Sequence, residues 1–132
     1  EREVVYLRKR YGFVKIAIQS GAALIPAYAF GATRTYSWWR LGPPLMTKKL
    51  AERISKILLF APIVFWGRFF GPCPRKGRVV TVYGPPIEVK QTDEPTQEYV
   101  REVLDKFIEE LEKVYRENRD EFGYKGVELV VE

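Results

Sequence analysis

The chain has 132 residues, 46% of them hydrophobic, with 22 Lys/Arg against 17 Asp/Glu for a net charge of +5. That length and apolar content suit one globular domain with a sizeable core and exclude a disordered or collagen-like chain. The single cysteine, Cys73, excludes an internal disulfide, and the absence of histidine excludes a Ser-His-Asp triad, a Cys-His pair or a His-bearing zinc site built from these residues alone.

Val4 to Leu7 is continuously apolar, which predicts a strand covered on both faces. Phe13, Val14, Ile16, Ala17 and Ile18, with Lys15 and Gln19 between them, predict a short, mostly buried helix over 12–20, stopped by Gly21. Ala23 to Phe30 reads as a second buried strand, with Pro26 marking an edge or bulge. Together the expectation over 3–30 is a β-α-β unit with a parallel, right-handed crossover. Residues 31–45 read as a loop with a Gly42-Pro43-Pro44 break. Residues 46–60 read as an amphipathic helix, with Leu50, Ile54, Ile57 and Leu58 on one face and Lys48, Lys49, Glu52, Arg53 and Lys56 on the other.

Over 61–78 an exposed-looking aromatic segment is expected, and over 79–90 a strand (Val79 to Tyr83) followed by a turn. The clearest element is a long helix over 94–122: Tyr99, Val100, Val103, Leu104, Phe107, Ile108, Leu111, Val114 and Tyr115 keep a three-four spacing. Pro95 suits its first turn, and Gly123 its end. The tail, 123–132, reads as one more strand or a loose end. The fold class is therefore α/β, a partly parallel mixed sheet flanked by helices. The longest apolar run, Ile57 to Trp66, falls far short of the roughly 20 residues of a spanning helix. The chain starts at Glu1 rather than Met, and the expectation is a piece of a longer protein.

Charge is unevenly placed. Residues 1–90 hold 16 Lys/Arg and 4 Asp/Glu, net +12, whereas 91–132 hold 6 and 13, net −7. A basic part of that size attracts phosphate in nucleic acid, anionic lipid or a phosphorylated small molecule. Ligands of open α/β sheets bind beyond the carboxyl ends of parallel strands. Those ends here are Arg8-Lys9-Arg10 and Gly31-Ala32-Thr33-Arg34, expected near each other and near the positive start of the helix at Gly12. Ordinary solvated loop charge is the competing reading. Trp38, Trp39, Phe65, Trp66, Phe69 and Phe70, with the basic helix over 46–60, suit a water-lipid boundary. That helix packing on the sheet is an equal alternative. Cys73 reads as an incidental thiol. The scattered basic residues and lack of a recognised motif argue against a nucleic-acid partner.

Two blocks carry a resemblance. Arg10-Tyr11-Gly12-Phe13, Lys15, Ala17, Gly21, Leu24-Ile25-Pro26 and Phe30-Gly31 fall in the order and spacing of a block in the type 2 diacylglycerol O-acyltransferase family, which includes monoacylglycerol and wax-ester acyltransferases. Val82-Tyr83-Gly84-Pro85-Pro86-Ile87-Glu88-Val89 resembles its second signature, and the Trp66-Gly67-Arg68-Phe69-Phe70 spacer and long helix are similar too. The resemblance implies the C-terminal half of a glycerolipid acyltransferase fold. It implies transfer of a fatty acyl group from acyl-CoA, as co-substrate with no other cofactor, to diacylglycerol or a related hydroxyl. The place of work would be the cytosolic face of the endoplasmic reticulum membrane and the lipid droplet.

The resemblance also implies site roles. Arg8, Lys9, Arg10 and Lys15 would face the CoA phosphates. Pro26, Phe30 and Gly31 would shape the acyl channel, and Gly12 and Phe13 complete the substrate-binding set. The family's His-Pro-His-Gly block, thought to supply the base, would lie in an upstream catalytic segment of the same protein, so this chain alone is expected to be inactive. Ala32 departs from the acidic or amide residue usual after the Phe-Gly pair. The competing reading is a non-enzymatic, basic peripheral module that binds anionic lipid at a membrane surface.

Overall fold

The computed structural model describes residues 2–40, 47, 53 and 63–132. The chain forms two compact units, Glu1–Phe30 with Val80–Glu132, and Gly31–Val79.

The first unit is built on two helices. Helix α1, Gly12–Ser20, ends at Gly21, whose φ of 67° continues no right-handed helix and whose amide reaches back to the Ala17 and Ile18 carbonyls. It buries Val14, Ala17 and Ile18 but leaves Ile16 66% exposed, so the helix is covered on one face rather than mostly buried. Helix α2, Gln97–Asn118, is the long periodic element expected from the sequence. Its cap is Thr96, whose hydroxyl accepts from the Tyr99 amide at 3.2 Å. Pro95 therefore stands just before the helix instead of in its first turn. The helix ends at Asn118, four residues short of the expected Phe122. The Asn118 side chain donates to the Val114 carbonyl at 2.8 Å, and the chain then turns so that the Tyr124 amide closes on the Arg119 carbonyl at 2.7 Å.

Strand β1, Arg2–Val5, pairs in parallel with β6, Glu128–Val131, from Arg2↔Glu128 to Val5↔Val131. Strand β2, Ala27–Phe30, pairs antiparallel with β5, Val80–Tyr83, from Ala27↔Tyr83 to Phe30↔Val80. The α/β class stands, but the arrangement differs from the β-α-β unit read from the sequence. Strands β1 and β2 lie in separate two-stranded sheets, and the parallel partner of β1 is the C-terminal tail. The reason is local. The apolar run from Ala23 is split at Pro26, which has no amide to donate, leaving only an isolated bridge, Leu24↔Ile87, before it. The tail supplies a Leu-Val-Val run, and its Glu132 carbonyl accepts from the Leu7 and Arg8 amides at 2.7 and 2.9 Å. Val4 remains 43% exposed, so β1 is not covered on both faces within this chain.

Two buried clusters share α2. Val14, Ile18 and Val131 meet Val100, Val103, Leu104 and Ile108 along its first half. Phe30, Tyr115, Tyr124 and Val127 pack at its second half. Phe30 stacks at 5.6 Å on Tyr115 and at 4.9 Å on Phe122, and meets Tyr124 edge-on at 5.4 Å. Tyr28 leans on the same cluster, 4.9 Å from Tyr115. Its phenol is held well above the ordinary tyrosine range, first by burial and then by the Glu3 carboxylate beside it.

In the second unit, β3, Ser37–Arg40, pairs antiparallel with β4, Ile63–Trp66, from Ser37↔Trp66 to Arg40↔Ile63. Residues 31–40, a loop by the sequence reading, hold a short 3₁₀ turn, Ala32–Arg34, and this strand with two adjacent tryptophans. Gly31 is required there: its φ is 87°, and a Cβ would stand 2.2 Å from the Arg78 carbonyl oxygen. The amide of Arg75 donates to the Thr35 carbonyl at 2.9 Å. The amphipathic helix expected over 46–60 and the Gly42-Pro43-Pro44 break lie outside the described residues, Thr47 and Arg53 excepted.

Because Phe30 touches four rings at once, those of Tyr28, Tyr115, Phe122 and Tyr124, Phe30→Ala should destabilise the chain by about 3–5 kcal/mol. Urea unfolding followed by circular dichroism measures this; a loss of stability too small to resolve would show that the cluster is not the core.

Candidate functional site

Helix α1 packs across the first half of α2. Phe13 of α1 meets Phe107 of α2 edge-on at 5.3 Å, and Val14 and Ile18 pack into the Val100, Val103 and Leu104 stretch. The far end of α1 is tied to the segment leading into α2. Gln19 donates to the Asp93 carbonyl at 3.0 Å, and Gln91 donates back to the Gln19 carbonyl at 3.1 Å. This register leaves a groove of about 320 Å³ between the first turns, lined by Tyr11, Gly12, Lys15, Pro95, Gln97, Val100 and Arg101.

The electrostatics of that groove are one-sided. Lys15 and Arg101 both line it, none of its lining residues is acidic, and neither cation has an ion-pair partner among the described residues. Helix α1 has no side-chain cap at Tyr11 and no acidic residue in its first turn. Its leading amides thus add partial positive charge to two whole ones. An anion in the groove would relieve that repulsion. The lining offers no imidazole or carboxylate, so it can bind and orient a phosphate but not withdraw a proton from a hydroxyl.

Of the residues expected to bind substrate, Gly12 and Lys15 line this groove and the others do not. Arg8, Lys9 and Arg10 form the exposed turn after β1, and the Arg8 side chain donates to the Val131 carbonyl at 2.9 Å, bracing the parallel pair. Phe13 is half-buried against Phe107. Pro26 and Phe30 are interior residues, each less than 2% exposed, so neither offers surface to an acyl chain in this structure. Gly31 serves a tight backbone approach inside the second unit, and Ala32 opens the turn after it. The basic corner expected from Arg8–Arg10 and Gly31–Arg34 rested on β1 and β2 being sheet neighbours, which they are not. Arg101 and Gln97 went unnoticed in the sequence because they sit in its acidic part. The available signal was their place just after Pro95-Thr96, at a helix start.

Of the residues expected at a membrane, Trp38, Phe65, Phe69 and Phe70 are well exposed, whereas Trp66 is half-buried and Trp39 lies on β3. Among the described residues, no helix is long and apolar enough to cross a membrane, and no group of acidic, Cys or His side chains could hold a metal.

Comparison with known proteins agrees on one family. Residues 1–132 match the diacylglycerol acyltransferase family. The chain is similar to 2-acylglycerol O-acyltransferase 1 of Bos taurus, 33% identical over 132 residues, covering 96% of this chain and 39% of that protein. It is similar to diacylglycerol O-acyltransferase 2 of Danio rerio, 35% identical over 144 residues, covering 98% of this chain and 38% of that protein. It is also 30% identical over 132 residues to acyl-CoA wax alcohol acyltransferase 2 of Mus musculus, covering 96% of this chain and 40% of that one. No solved structure matches. The chain thus spans about two fifths of the length of these relatives, and it belongs to the diacylglycerol acyltransferase family.

The groove's charge makes a stability prediction. Lys15→Glu places a carboxylate opposite Arg101 and near the uncapped start of α1, and should raise stability by about 0.3–1 kcal/mol without ligand. A urea titration checks it, and a fall in stability would show that Lys15 is not held in a repulsive setting.

Proposed function

We propose that this member of the diacylglycerol acyltransferase family forms the part of an acyl-CoA-dependent O-acyltransferase that holds the CoA end of the donor. The finished enzyme would make triacylglycerol or a related neutral lipid. The observation that carries the reading is the groove in which Lys15, Arg101 and an uncapped helix start converge with no acidic neighbour. Acyl-CoA carries several phosphate charges at one end and a thioester at the other. A cationic groove suits the first and leaves the second free to reach a reacting centre.

The reaction class supports this division. The oxygen of a lipid hydroxyl attacks the thioester carbonyl carbon. A C–O bond forms, the C–S bond breaks, and the hydroxyl proton passes through a base to the departing sulfur. The base is proposed to lie outside these 132 residues, which contain no histidine. Most Asp and Glu stand in the C-terminal part, and none lines the groove. The names of the relatives, acting on an acylglycerol, a diacylglycerol or a wax alcohol, support a lipid alcohol as acceptor here. Work at the cytosolic face of the endoplasmic reticulum and the lipid droplet is part of the same proposal; the single exposed thiol, Cys73, accords with a reducing surrounding.

Calorimetric titration with free CoA tests the reading without needing turnover. Lys15→Gln and Arg101→Gln should each weaken binding roughly two- to fivefold, the range for solvent-exposed ion pairs, and added salt should weaken it further. The purified chain should show no acyl transfer to diacylglycerol. Binding unchanged by both substitutions would remove the groove from the site, and transfer by this chain alone would remove the proposed division of labour.

A further inference from the structure

The second unit carries an aromatic tip that the groove does not use. After β4 the chain turns at Gly67, whose amide donates to the Gly71 carbonyl at 2.9 Å, while the Arg68 amide donates to the Cys73 carbonyl at 2.8 Å. The turn closes only around glycine, since a Cβ on Gly67 would stand 1.9 Å from the Cys73 carbonyl oxygen. Inside it Phe69 and Phe70 both take φ 57°, a conformation that bulky side chains rarely adopt. Phe69 and Phe70 are 85% and 88% exposed, the most exposed large apolar residues among the described ones. Strained backbone is usually kept where a function needs it. Here it holds two rings out in water, which is unfavourable both for the backbone and for hydration.

The surroundings of the tip indicate what covers it. Trp38 and Phe65 face each other across the β3–β4 ribbon and are 65% and 58% exposed, adding a second aromatic pair. Residues 31–79 contain ten Lys/Arg and one acid, Glu52, net +9, and no acid occurs from 53 to 87. Arg68, Arg75, Lys76 and Arg78 are all exposed, and the Arg68 guanidinium lies 4.8 Å over the Phe69 ring. The segment FFGPCP, 69–74, has no side chain able to read a peptide or a base by hydrogen bonding apart from the Cys73 thiol. Projecting rings beside unopposed cations match an anionic phospholipid surface, where rings settle at the headgroup level and cations meet phosphate.

We propose that the Phe69–Phe70 tip is a membrane wedge that docks the second unit on anionic phospholipid, with Arg68, Arg75, Lys76 and Arg78 contacting headgroups. Trp66, half-buried, is not part of it. The proposal does not depend on the acyl-transfer reading.

Sedimentation of the 132-residue chain with vesicles of phosphatidylcholine, with and without phosphatidylserine, tests it. The chain should bind the anionic vesicles, and binding to phosphatidylcholine alone should be at least roughly tenfold weaker. In F69G/F70G, glycine takes φ 57° without strain, so the melting temperature should hold or rise while vesicle binding falls roughly tenfold or more. R75Q/K76Q/R78Q should lose most of the preference for anionic vesicles. The proposal is overturned if F69G/F70G binds vesicles as the parent does, if it melts well below the parent, or if the parent chain does not prefer anionic vesicles.

Discussion

Burial of one face of α2 is the constraint on which the first unit depends. Seven residues of that helix, from Val100 to Tyr115, are buried, and each half of the face holds a different partner. The first half grips α1 through Val14 and Ile18; the second grips β2 through Phe30. The β1–β6 and β2–β5 pairs have two strands each, too few to stand alone in water, and take their support from this helix. The groove follows from the same packing. With α1 packed across the first half of α2, Tyr11, Gly12 and Lys15 line one cavity with Gln97 and Arg101.

The charge distribution then gains a physical sense. The acidic residues of the C-terminal part stand mostly on the solvent face of α2 and its flanks, where Glu102 and Lys106 form an exposed pair at 2.8 Å. The cations face less company. Two of them converge on the groove, and ten belong to the second unit with a single acid among them. On the proposed function, a polyphosphorylated donor and a lipid surface would each call for cationic surface. The two sets of cations lie in different units and are separable by substitution.

Much of this was legible in the sequence, and the failures have physical causes. Helix α1 and its glycine stop, the long helix with its apolar stripe, and the family were all readable, because periodicity and long motifs are local signals. Strand pairing was not. Val4 and its neighbours announce a strand but not a partner, and the partner proved to be the tail more than a hundred residues away. The family block suggests Phe30 as a channel residue, whereas its four ring contacts place it in the core of this unit. Lys15 was found, but Arg101 was hidden by its acidic neighbours until packing brought the two helix starts together.

The central claim is that the groove between the two helix starts receives the phosphates of coenzyme A. The most direct measurement is a titration of free CoA into the isotope-labelled chain, followed by amide chemical shifts. With CoA in the groove, the shifts concentrate at Tyr11, Gly12, Lys15, Gln97 and Arg101. Shifts centred on Arg8, Lys9 and Arg10, or on the second unit with the groove silent, would contradict the claim.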